Sequence, residues 1–260
     1  MNRRLWSVFA GVCVFALSMV WAVPSGAQAS EVKEKPAMYS YIANWQIPRA
    51  QWADMAKANA GDKAILDKAL ADGTIVGYGN DEAAVHQVDG ITHDDWWSSM
   101  SLAGLIKVLD QLSAAGNTTS SVLASATKHS DAIMESHYYN WRAGAYKSAY
   151  AHVSYYKPKP DAPNDAVELV SKNLVVPLLE KLLAGGSILE YEVDTEAIHT
   201  SDPSGFWIVY VATSPEGLDA VNSGIRDALK AQPFGGPAFG SMTDGAAHRD
   251  ELLRGEGVYK

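Results

Sequence analysis

One 22-residue passage occurs twice in this chain, and the repeat constrains the fold more than any other feature. Residues 65–86 read ILDKALADGTIVGYGNDEAAVH and residues 178–199 read LLEKLLAGGSILEYEVDTEAIH. The offset is a constant 113 residues without a gap. Leu66/Leu179, Gly73/Gly186, Tyr78/Tyr191, Asp81/Asp194 and His86/His199 are among the identical pairs. A copied segment of this size is one supersecondary unit, and two copies in one chain are expected to bury their apolar faces together.

The flanking segments give each half the order β-α-β-β-α-β. In the first half, residues 39–47 alternate as a strand. Pro48 opens a helical region that runs to about residue 71, with a possible break near Gly61, and Gly73 ends it. Residues 74–86 and 96–101 follow as strands. Leu102, Leu105, Ile106, Leu109 and Leu112 have helical spacing. Residues 120–125 are the candidate fourth strand. In the second half the matching segments are 150–157, 165–184, 187–199 and 206–212. A helix capped by Ser214 with Pro215 at its first position comes next, then a strand near 238–242. Pro177 should kink or split the long helix. Residues 140–147 join the halves and lack the length of a flexible linker. This order is the ferredoxin-like split βαβ unit. The predicted fold class is therefore α+β, with two tandem ferredoxin-like βαββαβ repeats, 30–144 and 145–260, packed as a pseudo-twofold α+β barrel.

Residues 1–29 have the form of an export signal. Arg3 and Arg4 precede an uncharged apolar stretch over 5–23, and Ala27-Gln28-Ala29 is a small-x-small cleavage site. Pro24, Gly26 and that site favour cleavage over an uncleaved anchor. The expected location is periplasmic or secreted, without stable membrane insertion after cleavage. Cys13 lies in the leader, so the mature chain has neither disulfides nor thiolate metal sites. Cleavage leaves about 231 residues with 19 basic against 30 acidic, a formal charge of about −11. That balance argues against a nucleic-acid surface. Oligomeric state is not legible.

Element order and duplication together resemble the dimeric α+β barrel superfamily, here with both units in one chain. The superfamily contains antibiotic-biosynthesis-type monooxygenases, EthD-like proteins and chlorite-dismutase-like haem proteins. The residues also resemble a functionally uncharacterised family of secreted bacterial proteins with the same tandem layout, which implies no activity. Asn44 and Trp96 are similar to the Asn and Trp used by some haem-degrading and quinone-forming members. No helix histidine stands in the setting of a haem ligand, and the cofactor is left unknown.

Strand alternation assigns the candidate site. Aligning Tyr41, Ala43 and Trp45 with Ala151, Val153 and Tyr155 turns these sets toward the helices. Ile42, Asn44 and Gln46 then share a lumen with His152, Ser154 and Tyr156. In the second strands, Leu189, Tyr191 and Val193 are the apolar set. Glu190, Glu192, Asp194 and Glu196 lie opposite, matched by Gly77, Gly79, Asp81 and Ala83. His152, Tyr156 and Glu192 become candidate acid–base residues. Asn44, Gln46, Ser154 and Trp96 become candidate ligand contacts. Alternating glutamates also suit a solvated face. His93-Asp94-Asp95 reads as a solvated loop, and His137 has no assigned role.

A second repeated signature is His129-Ser130-Asp131 and His248-Arg249-Asp250. The resemblance implies that each fourth strand lies beside the partner unit's second strand. His86 would then meet His248 and Asp250, and His199 would meet His129 and Asp131. Such sets could be hydrogen-bonded seams or could bind zinc or iron. Spacing supplies two ligands where a metal needs three or four, so none is expected. Three functions remain open. The first is an exported protein that binds a small, partly apolar ligand between its sheets. The second is a cofactor-independent monooxygenase or isomerase-type enzyme. The third is a structural or interaction module with a packed lumen.

Overall fold

Gly73 and Gly186 both adopt left-handed backbone, with φ of 79° and 78°. Only glycine enters that region without strain, so each ends its helix and turns the chain into the second strand of its half. The same offset recurs at Ser101 and Ser214, whose hydroxyls accept from Gly104 and Gly217 backbone N–H to cap the next helices. A Cβ at Gly104 would stand 2.8 Å from the Thr74 carbonyl, and one at Gly217 2.5 Å from the Ser187 carbonyl. Helix starts thus rest directly on the strand before them.

The computed structural model describes residues 33–88, 90–116, 120–200 and 202–260. The expected leader, 1–29, lies outside them. The first half consists of β1 (Met38–Gln46), α1 (Trp52–Ala71), β2 (Gly77–Ala83), β3 (His93–Ser99), α2 (Leu102–Ala114) and β4 (Lys128–Trp141). The second consists of β5 (Gly144–Tyr156), α3 (Ala166–Val170), α4 (Val176–Gly185), β6 (Ile188–Glu196), β7 (Phe206–Ala212), α5 (Pro215–Ala231), α6 (Gly235–Met242) and β8 (Arg249–Tyr259). The helix α1 is unbroken at Gly61. Between α3 and α4 the backbone widens into a π-helical turn, Ser171–Val175. Pro177 follows in the first turn of α4, where its missing N–H is tolerated.

The eight strands close into one antiparallel barrel in the order β1-β3-β2-β8-β5-β7-β6-β4. Within this ring the first half reads β4-β1-β3-β2 and the second β8-β5-β7-β6. They meet at two seams, β2 with β8 and β4 with β6. The described residues form one compact unit, as a short connection between halves requires. The expected boundary at 144/145 falls at the start of β5.

Each half has its own core between sheet and helices. Tyr41, Trp45, Ile75, Trp97, Leu105 and Val108 form the first. Tyr138, Leu179, Leu183, Tyr191, Tyr210 and Val221 form the second. Ile75, Leu105 and Val108 are fully buried, each contributing about 1.5–3 kcal/mol. The repeat also copies a strand-to-helix hydrogen bond. Tyr191 Oη donates to Glu180 Oε1 at 2.6 Å, and Tyr78 Oη donates to Asp67 at the equivalent position.

Three expectations need correction. Residues 120–125 hold a short 3-10 turn, Leu123–Ser125, and 238–242 belong to α6. The real fourth strands begin with polar residues, which hid them from a search for apolar runs. His93-Asp94-Asp95 opens β3, with His93 and Asp94 buried. The third correction concerns β5. Tyr39 pairs with Ser99 and Tyr150 with Ala212, so the first strands correspond at an offset of 111, not 110. One residue of slip exchanges the two faces of a strand. Ala151, Val153 and Tyr155 line the lumen, and His152, Ser154 and Tyr156 lie on the outer, helix-bearing side.

Candidate functional site

The barrel encloses a cavity of about 440 Å³. Ile42, Met134, Val153, Val209, Val211 and Leu253 supply an apolar wall drawn from both halves. At one end Tyr259 stacks near Trp96, Trp141 and Tyr146, with centroids 5.4, 5.6 and 6.5 Å apart. Glycine makes room for this aromatic group. A Cβ on Gly77 would lie 2.4 Å from Tyr259, one on Gly79 2.6 Å from Trp96, and one on Gly257 2.6 Å from Tyr146. The space that Gly77 and Gly79 leave in the first half is therefore filled from neighbouring strands. Asn44, Ser130, Asp131, Thr200 and Arg249 line the opposite end.

Alternation along β6 brings Glu190, Glu192, Asp194 and Glu196 to the lumen, as strand parity predicts, but they are buried instead of solvated. Asp81 and Asp94 enter from β2 and β3. Glu192 stands within hydrogen-bonding reach of both Glu190 and Asp194, and Asp81 within reach of Asp94. Ser40 Oγ donates to Glu192 Oε2 at 3.3 Å, and Trp96 Nε1 to Asp81 Oδ2 at 3.1 Å.

Burial disfavours the charged form of these acids. It pushes Asp81 up to about 6 and Glu192 up to about 7. Asp94, Glu190 and Asp194 are raised well above the usual carboxylate range, by burial first and then by the acids beside them. Several therefore hold protons at neutral pH and can donate as well as accept hydrogen bonds. Asp94 has no counterpart among the predicted site residues. Its signal was available, because it shares a strand face with Trp96.

Asn44, Trp96 and Glu192 line the lumen. Gln46 sits in an adjoining pocket with Asn44, where its side chain donates to the Gly90 carbonyl and accepts from Thr127. His152 stacks on Tyr210, and Tyr156 packs against Phe206 and Phe239. Neither reaches Glu192, and Ser154 instead donates to Asp250 Oδ1 at 2.7 Å.

The repeated histidines form pairs within each half, not across the seams. His129 Nε2 lies 3.3 Å from Asp131, its Nδ1 donates to the Asn44 carbonyl at 3.0 Å, and its ring stacks on Trp45. His248 repeats this with Asp250 at 3.3 Å, the Tyr155 carbonyl at 2.9 Å, and Tyr156. His86 instead packs edge-on to Trp52. Among the described residues neither His86 nor His199 joins an ion pair with the expected partners. The seams are made by backbone: Ala84 N–H donates to Leu252 and Ala197 N–H to Ile133. The aromatic partners in the first strands explain the change, since stacking holds each imidazole over its own half. His248→Ala is expected to lower stability by about 1–2 kcal/mol in urea titrations, and added zinc should not restore it. Among the described residues no cluster of three His, Cys, Asp or Glu side chains is arranged to hold a metal ion.

This closed barrel has counterparts among solved structures. A candidate monooxygenase from Fusobacterium nucleatum superposes with a TM-score of 0.64 at 9% identity, covering 87% of this chain and 95% of that one. A candidate monooxygenase from Lactobacillus acidophilus NCFM gives 0.61 at 11% identity, covering 84% and 94%. The chain has the fold of the dimeric α+β barrel superfamily. A chlorite dismutase from Candidatus Nitrospira defluvii, solved with imidazole, gives 0.50 at 10% identity, covering 84% and 90%. No family model matches the chain, and no curated protein matches it by sequence. Among the described residues no histidine lines the barrel lumen, so that cavity offers no imidazole to a haem iron. Among the described residues no helix is long and apolar enough to cross a membrane.

Proposed function

We propose that this chain is an exported pair of tandem ferredoxin-like βαββαβ repeats, 30–144 and 145–260, that binds a small, partly apolar ligand in the barrel lumen. The observation that carries the reading is the cavity of about 440 Å³, with an apolar wall facing a group of carboxylates. Ligand sites in folded proteins have this size and character. The same volume argues against a packed, purely structural lumen. Export rests on the residues of the leader and places the protein in the periplasm or outside the cell.

A second reading is an acid–base enzyme of the cofactor-independent type. It is favoured by Glu192, raised by burial to about 7 beside an open apolar space, where a carboxyl can both take and return a proton near neutrality. His152 and Tyr156 have no part in it, because they lie on the far side of the sheet. Glu192→Gln should abolish turnover of a substrate whose binding survives.

Native mass spectrometry of protein purified from its own host tests the binding reading. One extra small-molecule mass per chain is expected, lost in Ala151→Trp, whose indole would occupy the lumen. Failure would be no added mass together with unchanged tryptophan fluorescence on titration with small amphiphiles. Trp96 and Trp207 line the cavity and should report any occupant.

A further inference from the structure

The lumen is unusual in its charge. Acids enter it from both halves, Asp81 and Asp94 on one side and Glu190, Glu192 and Asp194 on the other. Among the described residues lining it, Arg249 is the one Lys or Arg. Glu190, Asp194 and Asp94 are 1%, 2% and 5% exposed. One oxygen on each meets no donor beyond the neighbouring acids. A buried acceptor left in this state costs free energy that a donor would recover. The second observation is aromatic. Trp96, Trp207, Tyr155 and Tyr259 face the same cavity, and ring faces attract cations.

From this arrangement we infer that the lumen binds an organic amine, a protonated primary or secondary ammonium carried on a small apolar body. The inference rests on the binding reading above and names the class of ligand. An ammonium N–H would satisfy the orphaned oxygen of Glu190 or of Asp194 and take the place of a proton shared among the acids. The apolar body would lie against Met134, Val209 and Val211, with the aromatic rings flanking the charge. A quaternary ammonium has no N–H and would leave the orphaned oxygens unpaired. A divalent cation is disfavoured because the β6 acids are strung along one strand at alternate positions and do not converge.

The test is calorimetric titration of the whole mature chain with a panel of aryl and alkyl amines, their alcohol isosteres, and calcium, magnesium and zinc salts. At least one amine is expected to bind about tenfold or more tightly than its alcohol. The double variant Glu190→Gln with Asp194→Asn should lose that preference and keep its affinity for the alcohol, which also shows that it is folded. Equal affinity for amine and alcohol would overturn the amine assignment and leave the binding reading standing. So would a preference that survives in the double variant, or tight binding of a metal ion alone. If neither amines nor alcohols bind, and Ala151→Trp changes nothing, both readings fall.

Discussion

Raising the pH from about 6.5 to 8 is expected to lower the free energy of unfolding steadily across that window. The native chain holds protons on Asp94, Glu190 and Asp194, and partly on Glu192, that the unfolded chain has released. Asp95, on the helix side of β3, is likewise pushed up by burial to about 7. Each proton bound by the native state alone reduces stability by about 1.4 kcal/mol per pH unit of increase. The stabilising effect of these acids is thus complete below their ordinary values and is lost as pH rises through the folded ones. His93 and His152 act the other way, because burial lowers them and the unfolded chain takes up protons that they refuse. Their opposition is greatest below about 6.5, their ordinary value, and fades above it. Asp202, held at about 2 by Tyr155 and Lys157, matters in stronger acid. Urea titrations across the window check the slope. Glu190→Gln should flatten it and raise stability at the alkaline end. A stability that is flat or rises from 6.5 to 8 would mean that the lumen acids are solvated or neutralised by cations, and that burial does not hold their protons.

Gly255→Ala is expected to destabilise the chain by about 3 kcal/mol or more. A Cβ on Gly255 would stand 2.0 Å from Asp81 Oδ1 and 2.2 Å from the Asn80 carbonyl. The carbonyl belongs to backbone and cannot rotate away. Asn80 and Asp81 pair with Glu256 and Gly255 in the ladder that closes one seam of the barrel. To admit the methyl, the seam must open locally, and it is one of the two strand seams that join the halves. Gly245→Ala is the control, since nothing lies within 4 Å of its added carbon. It should change stability by less than about 0.5 kcal/mol. Thermal melts of both variants decide the matter, and indistinguishable midpoints would show that the β2–β8 contact has slack.

The repeat and its punctuation were enough to place the ends of two helices and the starts of two others. Gly73/Gly186 and Ser101/Ser214 act through local backbone geometry, so their effect is written into the sequence itself. Period-two alternation likewise put Glu190, Glu192 and Asp194 on one face of β6, because side-chain direction along a strand depends on parity alone.

What local pattern could not supply was register across distance. A one-residue error between β1 and β5 sent His152, Ser154 and Tyr156 to the wrong side, and only the ladders with Ser99 and Ala212 fix the 111-residue correspondence. The polar openings of β4 and β8 look like loop until β1, β2, β5 and β6 are there to pair with them. The histidine pairs were legible as a repeat, but their partners were chosen by stacking on Trp45 and Tyr156, residues far away in the chain. Burial of the acids was decided last of all. An alternating row of carboxylates suits a wet sheet face equally well, and it becomes a low-dielectric chamber only when the second sheet closes over it, since desolvation belongs to the assembled barrel and not to any one strand.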